Sequence, residues 1–367
     1  MKYYIHIPFC GSKCAYCDFY STPGKNDRKR LFVEALDKEI ESRIGSPENV
    51  ETLYLGGGTP SSLSTGMLSH IISPFLNGDQ LQELTVEVNP EDVDADFADF
   101  LRSVSPKIRV SMGIQSLDDT QLSFIGRRHT ASGAVNAYRI LRDAGISNIS
   151  LDLIYGLPGQ DLDSWKDTLD RLLTLRPEHL SAYLLSYEPK TRLGVMLSKG
   201  KVTEASGELA MEMYRYLCDT TRKAGYEHYE ISNFARPGFR ARHNSSYWDG
   251  SEYIGFGPGA HSFVGGVRGF NHPSLKDYIA TAGCGVYEEE PEDEMSSFND
   301  RIITGLRTSE GIPMTILDRY LQARHEADSL MARGLLELKD NGCLVIPEHL
   351  WLKSDAIMRD LIVVEDF

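Results

Sequence analysis

The sequence predicts an α/β protein, a partial TIM-type (β/α)6 barrel carrying a small C-terminal domain of winged-helix-like layout. Three observations predict it. From residue 1 to about 190, short apolar runs alternate with amphipathic stretches, the pattern of repeated βα units around a parallel sheet. Polar and glycine-rich motifs recur where those apolar runs end, as they do at the carboxyl ends of strands in parallel α/β folds. With 367 residues and 41% hydrophobic content, the chain can build one large core and a smaller appended unit. A doubly wound open sheet produces a similar linear pattern and is the competing arrangement.

Taken in order, strands are expected at 3–9, 51–57, 84–89, 108–115, 149–155 and 180–186. The first runs straight into a loop holding Cys10, Cys14 and Cys17; the second leads into Gly56-Gly57-Gly58-Thr59-Pro60. The third ends in Glu87-Val88-Asn89-Pro90 and the fourth in Gly113-Ile114-Gln115-Ser116. The fifth carries Asp152 and enters Tyr155-Gly156-Leu157-Pro158-Gly159. Between them, Phe32, Leu36 and Ile40 recur at helical spacing, and Trp165, Leu169, Leu172 and Leu173 line one helical face. These units make up a barrel over 1–200. An extension over 201–287 holds a helix at 203–224, a strand at 226–233 and a Gly/Pro- and aromatic-rich stretch that breaks both periodicities. The acidic run at 288–294 reads as part of a solvated linker, 288–297. The last domain, 298–367, is expected to hold two or three short helices and a strand pair at 344–346 and 350–352.

Composition narrows the function. A formal net charge of −15 argues against a duplex nucleic-acid binder, which needs clustered Lys and Arg. No run of about eighteen apolar residues is present, so no segment is expected to span a membrane. Six cysteines without a disulfide-type framework fit a reducing compartment, so a cytoplasmic protein is expected. Oligomeric state, monomer or homodimer, and peripheral membrane contact are left open; no basic amphipathic helix argues for the latter.

The Cys10, Cys14 and Cys17 spacing, C-x3-C-x2-C, carries the most chemistry. Three thiolates can ligate three irons of a cubane cluster and leave the fourth iron to a non-protein ligand, whereas electron-carrier clusters take four cysteines. Structural zinc wants a fourth side chain and a repeated C-x2-C pair, but Cys218, Cys284 and Cys343 are scattered singly. Glycines 56–58 allow backbone to approach a ligand, or simply turn the chain. Glu87 could accept hydrogen bonds from a ribose or amino group, or lead a helix. Gln115 and Asp152 are polar on apolar strands and need partners. Arg127 could pair with a carboxylate or lie on the surface. Each is ambiguous alone; gathered at successive strand ends they suit a zwitterionic, nucleoside-containing ligand.

Tyr4-Ile5-His6-Ile7-Pro8-Phe9-Cys10, the three-cysteine loop, Gly-Gly-Gly-Thr-Pro and Gly-Leu-Pro together resemble the radical S-adenosylmethionine superfamily. More narrowly, they resemble its branch of oxygen-independent coproporphyrinogen III oxidases (HemN) and heme chaperones (HemW), over nearly the whole chain. The resemblance implies that Cys10, Cys14 and Cys17 hold a [4Fe–4S] cluster whose open iron binds S-adenosylmethionine. It implies that Tyr4 contacts this cofactor beside the cluster, that Gly57, Gly58 and Thr59 line its methionyl end, and that Glu87 lies at its ribose. Gln115, Arg127 and Asp152 complete the implied pocket, while His6 supports the cluster loop or is a satisfied core residue.

Two departures separate the branches. The oxidases place a further cysteine two residues after the third, where this chain has Phe19. They also carry an extension before the cluster that helps enclose substrate, whereas the first cluster cysteine here is residue 10, which implies a more open barrel face. A third feature, His243-Asn244-Ser245-Ser246-Tyr247-Trp248, matches the H-N-x-x-Y-W motif of the heme chaperones. Neutral imidazole is a good axial ligand for heme iron, so His243 is the expected heme ligand and His261 its rival; His228 and His272 read as solvent or core residues. The expectation is thus a chaperone that binds heme and passes it to an acceptor, with a respiratory protein the expected recipient. Porphyrinogen oxidative decarboxylation is the alternative.

Overall fold

The computed structural model describes residues 1–364. Six parallel strands, β1 (Lys2–Ile7), β2 (Thr52–Gly57), β3 (Glu83–Val88), β4 (Ile108–Gln115), β5 (Ile149–Tyr155) and β6 (His179–Leu184), lie side by side in sequence order. A doubly wound sheet reverses its order at a switch point; this one does not, so the winding is that of an incomplete barrel. The register aligns Ile5, Leu55, Val86, Val110 and Ile149 across the strands. All five are fully buried and pack beneath the outer helices. Helix Asn26–Ile44 buries Phe32, Leu36 and Ile40, and helix Leu162–Thr174 buries Trp165, Leu169 and Leu172, as their spacing predicts. Asp94 and Asp161 cap their helices by accepting from the amides of Phe97 and Ser164.

The barrel is not closed on itself. On one side, β7 (Glu227–Glu230) and β8 (Asn233–Ala235) form a hairpin whose second strand runs antiparallel to β6. On the other, β9 (Tyr253–Phe256) pairs parallel with β1 and continues into antiparallel β10 (His261–Val264), β11 (Val267–Asn271) and β12 (Tyr287–Pro291). The expected strand at 226–233 is therefore two short strands, because the chain turns at Ile231 and Ser232. The expected helix at 203–224 is Gly207–Lys223, capped by Ser206. The aperiodic stretch contains helix Arg242–Asp249 and most of the β9–β11 ribbon.

The acidic run is not a free linker. Its backbone pairs with β11 as β12, leaving Glu288, Glu289 and Glu290 in solvent, a charged edge of the kind that discourages further strand pairing. Asp293 then caps helix Glu294–Gly305, and Arg268 of β11 pairs with both Glu292 and Asp300. Beyond it, β13 (Ile312–Pro313), β14 (Glu337–Leu338) and β15 (Cys343–Val345) form a small antiparallel sheet beside helices Leu321–Ala332 and Ser354–Leu361. The strand expected at 350–352 is a 3-10 turn, Glu348–Lys353, because Trp351 turns inward and its indole donates to the Ile346 carbonyl at 2.8 Å. Residues 365–367 of the expected final domain lie outside the described residues. Among the described residues, no helix is long and apolar enough to cross a membrane.

Candidate cluster and cofactor site

The carboxyl ends of the parallel strands and the cysteine loop enclose a cavity of about 460 Å³. The loop is held by its backbone rather than by its cysteines. The Cys10 amide donates to Thr22 O at 3.2 Å, the Ala15 amide to Ile125 O at 2.8 Å, and Leu193 donates to Ala15 O at 2.8 Å. Behind it, Ala15, Ile125, Ile154, Leu157, Leu185 and Leu193 form a separate apolar cluster. Cys10, Cys14 and Cys17 are all free thiols of intermediate exposure on the cavity wall. Three soft ligands on one preformed loop, open to one space, are what a three-cysteine cluster requires.

The end of β2 must be glycine. A Cβ on Gly58 would stand 2.6 Å from the Phe9 carbonyl oxygen, and one on Gly57, whose φ is +102°, would stand 2.4 Å from the His6 ring. Thr59 follows, with its hydroxyl 3.4 Å from Cys10 Sγ while accepting from the Asn89 amide at 3.1 Å. Glu87, at the end of β3, accepts from the Tyr54 hydroxyl at 2.6 Å and the Gly57 amide at 3.1 Å. Burial at the cavity wall, opposed by those two bonds, raises its carboxyl to about 7.

Gln115 occupies a left-handed conformation, φ +70°, at a bulge between β4 and β5 that turns it into the cavity. Such strain is retained where surrounding structure enforces it, and here it sits on the site wall. Asp152 of β5 accepts from Ser111 at 3.1 Å, and burial raises its carboxyl. Arg127 bonds Asn89 Oδ1 at 2.7 Å and the Gly113 carbonyl, and reaches Cys14 Sγ at 3.6 Å. Its Nε is buried without a partner. A guanidinium beside the cysteine loop with a spare donor fits both an anionic cluster and a ligand carboxylate. All three cysteines, Gly57, Gly58, Thr59, Glu87, Gln115, Arg127 and Asp152 therefore share one cavity.

Two expected site residues, Tyr4 and His243, are not among those lining this cavity. Tyr4 lies off the cavity wall and donates its hydroxyl to His6 Nδ1 at 3.1 Å. His6 Nε2 bonds the Tyr20 carbonyl at 2.8 Å, so that nitrogen carries the proton and Nδ1 is the acceptor. The pair thus braces the chain leaving the cysteine loop. His243 lies deeper still. It is 0% exposed, with Nδ1 2.8 Å from the Thr52 hydroxyl and Nε2 3.0 Å from the Tyr247 hydroxyl. Its amide donates to Glu83 at 3.0 Å. With both ring nitrogens engaged in the interior, it anchors helix Arg242–Asp249, and a heme iron would have to displace the Thr52 or the Tyr247 contact to be ligated by it. Its neighbour Asn244 does reach the cavity wall. His261, its rival, is exposed at the start of β10 and is not among the residues lining the cavity.

Sequence reasoning passed over Asn89, which joins Thr59 to Arg127, and the small polar residues Ser111 and Ser181 that line the floor. The two-residue alternation Ser111, Gly113, Gln115 was the available signal, since these share one face of β4. Also missed were Tyr183 and Leu184, 43% and 40% exposed at the mouth beside Phe19, which is 69% exposed.

Residues 4–172 match the Radical SAM superfamily profile. Over 93% of its length the chain is 35% identical to the heme chaperone HemW of Bacillus subtilis, covering 92% of that protein. It is 32% identical to the mitochondrial radical S-adenosyl methionine domain-containing protein 1 of Bos taurus, over 92% of this chain and 82% of that one. The solved structure of coproporphyrinogen III oxidase (HemN) from Escherichia coli superposes with a TM-score of 0.83 at 21% identity, covering 99% of this chain and 90% of that one, which shows a shared fold. The chain belongs to the radical SAM superfamily and, within it, to the HemW family.

Proposed function

We propose that this protein is a heme chaperone: it binds heme and passes it to an acceptor protein, with a [4Fe–4S] cluster on Cys10, Cys14 and Cys17 and S-adenosylmethionine in the adjoining cavity. The HemW relatives support this reading. The observation that carries it beyond them is the cavity mouth, where Phe19, Tyr183 and Leu184 expose large apolar surface beside the cysteine loop. Apolar surface of that kind on a soluble face marks a binding site, and it suits a flat macrocycle. Phe19 stands where the oxidase branch keeps a further cysteine, so the mouth offers a ring face in place of a thiol.

When bound, the cluster and S-adenosylmethionine supply one-electron radical chemistry. The chain's own residues do the rest. The spare Arg127 Nε receives a carboxylate, and the glycine turn at 57–58 lets the ligand approach main chain. Glu87 offers acceptors for ribose hydroxyls, and the cavity walls hold water away. A respiratory protein is the proposed recipient.

The test uses anaerobically reconstituted protein, given heme and then a heme-free acceptor. A Soret band that passes to the acceptor is expected. Coproporphyrinogen III supplied with S-adenosylmethionine and a reductant should yield no protoporphyrinogen; turnover would replace this reading with the oxidase.

A further inference from the structure

Away from the cluster cavity, three metal-ligating side chains meet where the barrel extension touches the C-terminal domain. Cys218 comes from helix Gly207–Lys223, His228 from β7 and Glu348 from the 3-10 turn Glu348–Lys353. Their ligand atoms all lie within 4.8 Å of one another. His228 Nδ1 is 2.8 Å from Glu348 Oε1 and 3.8 Å from Cys218 Sγ. The other ring nitrogen, Nε2, lies 3.2 Å from the Ile231 carbonyl, which can only accept, so Nε2 carries a proton. In the neutral ring the Nδ1 lone pair then faces a carboxylate oxygen and a sulfur. Three electron-pair donors converge on one point.

The ring cannot turn away. It stacks on Phe234 at 4.1 Å and meets Trp351 edge-on at 4.4 Å. Arg222 holds the other Glu348 oxygen at 2.6 Å, which orients the carboxylate and leaves Oε1 to the cluster. A cavity of about 500 Å³, lined by Cys218, Asp219, Glu348 and His349, opens on the group and gives an ion and a water a way in.

We propose that Cys218, His228 and Glu348 bind a borderline divalent cation, zinc foremost, which clamps the C-terminal domain to the barrel. One sulfur, one imidazole nitrogen and one carboxylate oxygen, with the fourth position open to the cavity, make a zinc donor set. Thiolate and imidazole together disfavour magnesium and calcium. Bonds of about 2.0–2.3 Å place tetrahedral ligands roughly 3.3–3.8 Å apart, so a small widening of the His228–Glu348 contact seats the ion. The thiol proton leaves to solvent on binding. The competing account is a proton on Nδ1, an imidazolium–carboxylate pair with Cys218 a bystander.

Metal analysis separates the two. Protein with its iron–sulfur cluster fully reconstituted is equilibrated with zinc, freed of excess by dialysis, and assayed for iron and zinc. Zinc-edge X-ray absorption then identifies the neighbours. The expected result is about one zinc per chain with a single sulfur neighbour. Zinc should be lost in Cys218→Ser and bound on the order of 100-fold more weakly in Glu348→Gln, with iron content unchanged in both. Glu348→Gln serves if Cys218→Ser fails to fold, because residue 348 lies on the partly exposed rim. Failure of wild type to retain zinc overturns the proposal. So does zinc that persists in both variants, or that leaves with Cys14→Ser instead.

Discussion

Glu87 shows how one carboxylate couples the cavity to pH. Its ordinary value of 4.5 is raised by burial to about 7. A raised folded-state value favours the protonated form, so Glu87 contributes stability fully present below 4.5 and lost as pH rises through about 7. A cationic sulfonium ligand reverses that preference by favouring the ionised carboxylate. S-adenosylmethionine affinity should therefore climb by up to about tenfold per pH unit below pH 7 and level off above it. Equilibrium dialysis between pH 5.5 and 8 measures this, and Glu87→Gln should flatten the profile. His243 titrates the opposite way. Burial lowers it from 6.5 to about 3, so its contribution is present above 6.5 and lost as pH falls toward 3. Because both its nitrogens are engaged, His243→Ala should destabilise the fold by about 2–4 kcal/mol in denaturant unfolding. If the variant unfolds like wild type yet loses the Soret band, His243 is a heme ligand after all.

At the scale of the element, the turn after β2 governs the site. The Gly58 amide donates to the Ile7 carbonyl at 2.8 Å, tying β2 to the start of the cysteine loop. Carbonyl oxygens of Ile7 and Phe9 occupy the space that a Gly58 side chain would need. Those oxygens are main chain and cannot swing aside. Gly58→Ala should therefore displace the loop and lower iron retained after reconstitution several-fold, by iron assay and absorbance near 400 nm, before it affects global stability. Wild-type iron content in that variant would show that the loop tolerates displacement. Much at this scale was legible in advance. Alternation of apolar runs located the six parallel strands, and the glycine run marked the turn. The hairpin at β7–β8 and the edge strand β12 were not, because Ile231-Ser232 carries no turn dipeptide and a run of glutamates reads as solvent-seeking whether or not its backbone is paired.

For the whole molecule, the barrel is braced by segments far along the chain. The β9–β12 ribbon extends β1, and the buried Glu39 carboxylate ties helix Asn26–Ile44 to it, accepting from Gly257, Asn271 and Tyr278. The C-terminal domain docks through Trp351, which is 3% exposed and packs on His228. Trp351→Ala should cost about 3–5 kcal/mol and make the segment after Pro291 the first to be cut in limited proteolysis. An unchanged melting profile would mean that the contact contributes little to docking.

Cys10, Cys14 and Cys17, Gly57, Gly58 and Glu87 could be read from the sequence because their chemistry is local: spacing makes a ligand loop, and a strand end makes a site wall. Tertiary structure alone places the histidines. A motif records that His243 is present but not where its ring points, and that depends on Thr52 and Glu83, brought to it from strands more than 150 residues away. The same holds for Cys218, His228 and Glu348. Each is unremarkable where it stands in the chain, and they meet only because the C-terminal domain folds back onto the barrel. Short-range pattern sets which side chains a strand or loop presents; long-range packing sets which of them can reach one another, and that is where a ligand set becomes a site.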